Sequence, residues 1–211
     1  MHSEELEKYI LDHTKAEDDL LAQLNRETHL KVIYPRMLSG HLQGKYLEMI
    51  SHMIKPKSIL EIGTYTGYSA ICMAKGLSVD GILHTIEINP ELNSFSEKYF
   101  EKAGLKYKIQ QHTGSALDII PHLNESFDLV FIDADKENYL AYYKLVFDKV
   151  NTGGFILADN ALWDGKVLEN IKKQDKETKG IDVFNKYIQQ DKNVENMLLP
   201  LRDGIMMIRK L

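Results

Sequence analysis

The chain is poor in cysteine, proline and tryptophan: its 211 residues include one, five and one of these. The lone thiol, Cys72, cannot staple the fold, which points to a reducing, cytoplasmic setting. It falls on the apolar face of a helical pattern and reads as a small core residue rather than a nucleophile. No apolar run approaches the roughly 18 residues of a membrane-spanning helix. The opening Met1-His2-Ser3-Glu4-Glu5 is acidic and polar, unlike a signal peptide. No basic block is present either. The net charge is −5 with the lysines and arginines scattered, which argues against nucleic acid or a membrane as partner. None of the eight histidines shows metal-ligand spacing, which disfavours zinc. Finally, there is no G-x-G-x-x-G, so a dinucleotide pyrophosphate cradle is disfavoured.

What is there centres on Ser58-Ile59-Leu60-Glu61-Ile62-Gly63-Thr64-Tyr65-Thr66-Gly67-Tyr68-Ser69. A short apolar β-rich run meets two glycines and then a helical pattern through Ala70, Ile71, Met73 and Ala74. This reads as strand, tight turn and helix, the opening unit of a nucleotide-binding α/β domain. Its spacing is E-x-G-x-x-x-G, with an acid at the strand end. A carboxylate there suits a ligand with a cationic end, and S-adenosylmethionine (SAM), with its ammonium and sulfonium, has one. The competing reading is a glycine-rich turn that binds nothing.

Charged residues 4 to 27 carry Leu6, Tyr9, Ile10, Leu20, Leu21 and Leu24 at near-helical spacing, which predicts one or two amphipathic helices. A break at Tyr34-Pro35-Arg36-Met37-Leu38-Ser39-Gly40 would cover the cofactor. A further helix over about 42–54 ends before Pro56. Residues 1–55 thus form an N-terminal helical lid, and 56–211 the main body of one domain overall. In that body strands are predicted near 58–63, 82–88, 107–113, 127–133 and 155–160. Helices are predicted near 67–77, 90–103, 115–121, 137–150 and 181–190. Gly153-Gly154 reads as the turn into the fifth strand. Such alternation implies a parallel sheet with right-handed crossovers. Two last apolar runs, 195–201 and 205–211, flank Arg202-Asp203-Gly204 and predict a closing antiparallel hairpin.

Ligands of open α/β sheets bind beyond the carboxyl ends of the strands. Glu61 and Gly63 stand there on the first strand. Glu87, ending the second, offers two oxygens to ribose hydroxyls, or is simply a solvated carboxylate. Gly114-Ser115-Ala116 is a small corner that leaves room for a flat adenine or caps the next helix. The fourth strand runs into Asp133-Ala134-Asp135-Lys136, and the fifth into Asp159-Asn160. On adjacent strands, Asp133, Asp159 and Asn160 would converge as an all-oxygen site suited to Mg²⁺, or else Mn²⁺ or Ca²⁺. The alternative is that the acids cap helices. Lys136 beside such a cation would have its charged form disfavoured and become a usable general base; otherwise it is a surface lysine.

At these residues the chain resembles the cation-dependent O-methyltransferases, the family of caffeoyl-CoA and catechol O-methyltransferases, especially its small bacterial members. The carrying motifs are Leu60 to Ser69, Phe131-Ile132-Asp133-Ala134-Asp135-Lys136 and Asp159-Asn160-Ala161-Leu162-Trp163. Leu199 to Gly204 and Met37 to Gly44 also match, so the likeness spans roughly residues 34 to 211. It implies a class I, Rossmann-like methyltransferase fold: seven strands, mostly parallel, with helices on both faces. It implies SAM as donor and Asp133, Asp159 and Asn160 as metal ligands. It places Ser39, Glu61, Gly63, Thr64, Ser69, Glu87, Ala116 and Asp135 around SAM. Lys136, with Asp133, falls at the catalytic position, and Trp163 and Asp164 fall near substrate. A homodimer is also implied.

The expected reaction is transfer of the SAM methyl to a hydroxyl of a small vicinal-dihydroxy acceptor. Tyr65, Tyr68 and Trp163 would line an aromatic slot. Rival readings are a nicotinamide-dependent oxidoreductase, a non-catalytic SAM-binding protein, and a methyltransferase of nucleic acid or protein. The lysines at 172, 173, 176 and 179 would face an acidic acceptor such as a CoA ester, or only solvent.

Overall fold

A computed structural model describes residues 4–170 and 174–211 of the chain. Lys172 and Lys173 of the lysine-bearing stretch, like Met1 to Ser3, lie outside the described residues. Three helices come first: α1 (Glu4–Asp12), α2 (Asp19–Lys31) and α3 (Gly40–Ile54). Alternation follows: β1 (Ser58–Ile62), α4 (Tyr68–Ala74), β2 (Ile82–Glu87), α5 (Asn93–Lys102), β3 (Ile109–Thr113), α6 (Ala116–Ile119), β4 (Phe127–Ile132), α7 (Tyr139–Phe147) and β5 (Val150–Ala158). The chain closes with α8 (Lys176–Gln190), β6 (Val194–Leu199) and β7 (Ile205–Lys210).

The sheet order is β3-β2-β1-β4-β5-β7-β6. β1 pairs in parallel with both β2 and β4, while β7 runs antiparallel between β5 and β6. Inner strands covered on both faces must be apolar almost throughout, and β1 and β4 are. Successive side chains supply opposite faces. Leu60, Ile62, Val130 and Ile132 pack toward Tyr139, Tyr143 and Phe184. Ile59, Leu129 and Phe131 pack toward Leu47, Tyr68, Ile71 and Tyr99. Every residue of α4 is buried, because α3 covers the side of α4 that a surface helix would expose. The strand order reverses between β1 and β4, which opens the ligand crevice at their carboxyl ends.

Several boundaries differ from expectation, and three of the differences have a visible cause. β5 starts at Val150, so Gly153 and Gly154 lie inside it rather than turning into it. Gly153 takes φ +81° opposite a register shift between Phe127 and Leu129, an irregularity that only the β4 pairing defines. α8 begins at Lys176, five residues early, because Asp175 caps it by accepting the Thr178 N–H at 2.8 Å. β3 begins at Ile109, since residues 105–108 form turns on the end of α5.

Candidate active site

β1 ends in a turn whose shape is dictated by its neighbour. Gly63 has φ +104°, and a Cβ there would lie 2.0 Å from the Asp133 carbonyl oxygen. The glycine expected to admit a ligand is therefore first required by the approach of β4 to β1. Beyond it, Glu61 is closed off from solvent. The Ser69 hydroxyl donates to its Oε1 at 2.5 Å, and the Thr85 hydroxyl to its Oε2 at 2.5 Å. Thr64 in turn meets Thr85 at 2.5 Å. Since the Thr85 proton goes to Glu61, Thr64 is the donor of that last bond. Burial, opposed by those hydroxyls and reinforced by the charges of Asp133 and Glu87, pushes the Glu61 carboxyl up to about 8.

Glu87 ends β2 nearly buried and is held by two backbone N–H groups, Tyr65 at 2.7 Å and Asn89 at 2.9 Å. One N–H falls on each oxygen, so each retains acceptor capacity for a ribose hydroxyl. Ala116 is buried at the start of α6, and Ser39 is buried just before α3. Asp135 is exposed, its carboxylate turned to Asn138 at 2.5 Å and to the Tyr142 hydroxyl.

Asp133 and Asp159 stand side by side because the strands beneath them do. Ile132 pairs with Ala158, and the Asp159 N–H donates to the Ile132 carbonyl at 2.9 Å. Neither acid caps a helix: the N-cap position of α7 is Asn138, which makes no side-chain cap. Asp159 is 4 % exposed. Burial and the Asp133 charge push its pKa up to about 6, with the Gln43 hydrogen bond pulling the other way. Its Oδ2 accepts the Gln43 amide at 2.7 Å and its Oδ1 the Asn160 N–H at 2.8 Å. Asn160, at φ +57°, donates Nδ2 to Asp203 at 3.1 Å, leaving its amide oxygen as the atom open to a cation. Among the described residues no three His, Cys, Asp or Glu side chains gather as a metal cage; the set is two carboxylates and an amide.

Lys136 is 7 % exposed, donating to Asp133 Oδ1 at 2.9 Å and to the Tyr139 hydroxyl at 2.7 Å. The surface-lysine alternative is thereby removed. Burial opposes its charge, but Tyr139 and Asp133 more than offset that, and the pKa lies above the ordinary lysine value. The depression expected from sequence is thus not a property of these protein groups alone. The Trp163 ring lies 5.8 Å from the Lys136 ammonium and 5.8 Å from that of Lys166. Its buried indole N–H has no partner among the described residues. Asp164 is exposed at φ +52°, with its N–H on Asp203 at 2.5 Å. Tyr68 does not line a slot: it is buried beneath α3 with its hydroxyl on Glu17. Tyr65 turns its hydroxyl to the Tyr34 carbonyl at 2.9 Å.

The sequence marks Arg202-Asp203 as a hairpin turn but assigns no site role to it, to Gln43 or to Tyr139. Gln43 and the Arg202-Asp203 pair do lie inside the matched motifs, but only their distant contacts give them a role.

The chain is similar to known proteins in sequence and in fold. A family model described as O-methyltransferase matches residues 11–211, reaching further toward the N-terminus than the motifs alone suggest. Caffeoyl-CoA O-methyltransferase of Petroselinum crispum is 34% identical over 224 residues, covering 100% of this chain and 92% of that protein. Catechol O-methyltransferase of Niastella koreensis is 39% identical over 171 residues, 79% of this chain and 76% of its own length. Among solved structures, the O-methyltransferase TomG of Streptomyces achromogenes, in complex with SAM, superposes with a TM-score of 0.91 at 27% identity, covering 98% and 96% of the two chains. An O-methyltransferase of Bacillus cereus, in complex with SAH, gives 0.90 at 29% identity, with 98% and 97% covered. The chain belongs to the O-methyltransferase family and carries the class I SAM-dependent methyltransferase fold.

Proposed function

We propose that this SAM-dependent O-methyltransferase methylates one hydroxyl of a small acceptor bearing two neighbouring hydroxyls, of catechol or caffeoyl type. We further propose that it does so with a divalent cation, Mg²⁺ or else Mn²⁺ or Ca²⁺. The observation that carries this reading is the meeting of Asp133 and Asp159 on adjacent strand tips beside the β1 crevice. The donor set fits a hard cation: oxygens only, few protein ligands, and so positions left for water and acceptor. A cation there would supply positive charge that lowers the pKa of an acceptor hydroxyl.

The chain's own residues would do the rest. Asp133, Asp159 and the Asn160 amide oxygen would hold the cation. Lys136, fixed and kept charged by Asp133 and Tyr139, would guide the acceptor hydroxyl by donating from Nζ to its oxygen. Glu87 receives the ribose, and the Glu61–Ser69–Thr85–Thr64 network shapes the floor under the methionine end. The Trp163 ring, with Lys136 on it, offers a flat apolar wall for an aromatic acceptor. The acceptor oxygen bonds to the SAM methyl carbon as that carbon's bond to sulfur breaks and a neutral thioether leaves, so opposite charges diminish along the path and alignment contributes most. The caffeoyl-CoA and catechol names of the relatives support the acceptor class.

A small-molecule acceptor, a homodimer and a cytoplasmic setting without nucleic acid or membrane partners belong to the same proposal. The single buried thiol supports the setting. Among the described residues no helix is long and apolar enough to cross a membrane. The test is a methyl-transfer screen over catechols and phenylpropanoids with Mg²⁺. Turnover of vicinal diols and not of their mono-hydroxy analogues supports the reading; the reverse preference refutes it.

A further inference from the structure

We propose that the turn joining β6 to β7 is the positioning device of the cation site, with Arg202 and Asp203 each orienting one of its proposed ligands. The proposal rests on the cation reading above and assigns residues that reading does not use. Asp203 spends both carboxylate oxygens on the segment after β5: Oδ2 accepts Asn160 Nδ2 at 3.1 Å, and Oδ1 accepts the Asp164 N–H at 2.5 Å. A carboxylate can only accept, so it compels Asn160 to turn its nitrogen inward and keep its oxygen free. Arg202 acts through a relay. Its Nη1 donates to Gln43 Oε1 at 2.6 Å, and Gln43 Nε2 donates to Asp159 Oδ2 at 2.7 Å. A guanidinium can only donate, so the fully buried Gln43 amide has one permitted orientation, with its NH₂ on Asp159.

The backbone around the turn shows how firmly it is seated. The Ala161 and Leu162 N–H groups donate to the Gly204 and Asp203 carbonyls, each at 2.9 Å. A Cβ on Gly204 would lie 2.5 Å from the Leu162 side chain. Asn160, Trp163 and Asp164 all take positive φ; asparagine and aspartate enter that region readily, but a bulky residue such as Trp163 holds it only when its surroundings impose it. Arg202 also donates to the Ser39 carbonyl, joining the segment expected to cover SAM to the same relay. Partners that orient ligands in this way typically govern metal affinity by 10- to 100-fold.

The test measures Mn²⁺ binding by electron paramagnetic resonance and SAM binding by calorimetry on wild type, Asp203→Asn and Arg202→Lys. Asparagine keeps the shape of Asp203 but no longer compels the Asn160 amide; lysine keeps the charge of Arg202 but loses its fork. We expect each variant to weaken Mn²⁺ by about 10- to 100-fold. Asp203→Asn should keep its SAM affinity within about twofold and regain most of its kcat at saturating Mg²⁺. Mn²⁺ affinity within twofold of wild type in both variants overturns this inference and leaves the cation reading standing. Parallel loss of SAM and Mn²⁺ binding in Asp203→Asn also overturns it, by showing a general structural role. Wild type that binds no Mn²⁺ overturns both.

Discussion

Ser69 Oγ donates to Glu61 Oε1 across 2.5 Å, tying the first turn of α4 to the end of β1 inside a pocket closed to solvent. That bond holds the carboxyl in place without restoring its preference for charge. Burial dominates, and the group titrates near 8 rather than its ordinary 4.5. Between those values the native chain keeps a proton that the unfolded chain has released. Native stability is therefore lost as pH rises through this window, and the loss is complete above it. In Glu61→Gln, which cannot ionise, stability relative to wild type should rise with pH from about 4.5 to about 8, by on the order of 4 kcal/mol. Urea unfolding across pH 5 to 9 without SAM measures it. A difference independent of pH would show that Glu61 is ionised in the native chain.

Gly63→Ala should be among the more damaging small changes. The added methyl would meet the Asp133 carbonyl at 2.0 Å, in backbone with φ +104°. Both residues are backbone-bonded directly at the ends of the central strand pair, so neither can yield cheaply. A loss of about 2–4 kcal/mol in chemical denaturation is expected. A loss under about 0.5 kcal/mol, the size typical of inert surface substitutions, would show that β1 and β4 do not approach this closely.

Lys136→Ala should reduce kcat by about 10²- to 10³-fold, the range of a lost donor to developing charge. SAM affinity should change little, since Lys136 engages Asp133 and Tyr139 rather than the β1 turn. Steady-state kinetics with calorimetry separates the two. A fall in SAM affinity as large as that in kcat would reassign Lys136 to holding the fold of the crevice.

Much of this site can be read along the chain. The short apolar runs Ile59 to Ile62, Phe127 to Ile132 and Phe155 to Ala158, alternating with helical patterns, suit inner parallel strands, and the residues that end or follow them fall at the carboxyl edge. That places Glu61, Gly63, Asp133, Asp159 and Asn160 without any coordinates. What stays hidden depends on distance in sequence. Gln43 meets Asp159 across 116 positions, and Arg202 meets Gln43 across 159. No local pattern marks either contact. Gly153-Gly154 misleads because a glycine pair looks like a turn, while its place inside β5 depends on pairing with β4. Lys136 misleads for the opposite reason: its partners are near in sequence, but the burial that brings the Tyr139 hydroxyl onto its ammonium comes from helix α8, whose Gly180 packs against the Lys136 carbonyl.

The most direct test follows methyl transfer from SAM to a catechol with enzyme stripped by EDTA and then titrated with Mg²⁺, for wild type and Asp159→Ala in parallel. Wild type should be inactive when stripped and recover fully with Mg²⁺, while Asp159→Ala binds SAM yet stays at least about 10²-fold slower at any Mg²⁺ concentration, as expected when a charge-stabilising group is removed. Full wild-type activity in EDTA, or an Asp159→Ala rate equal to wild type, would contradict the account.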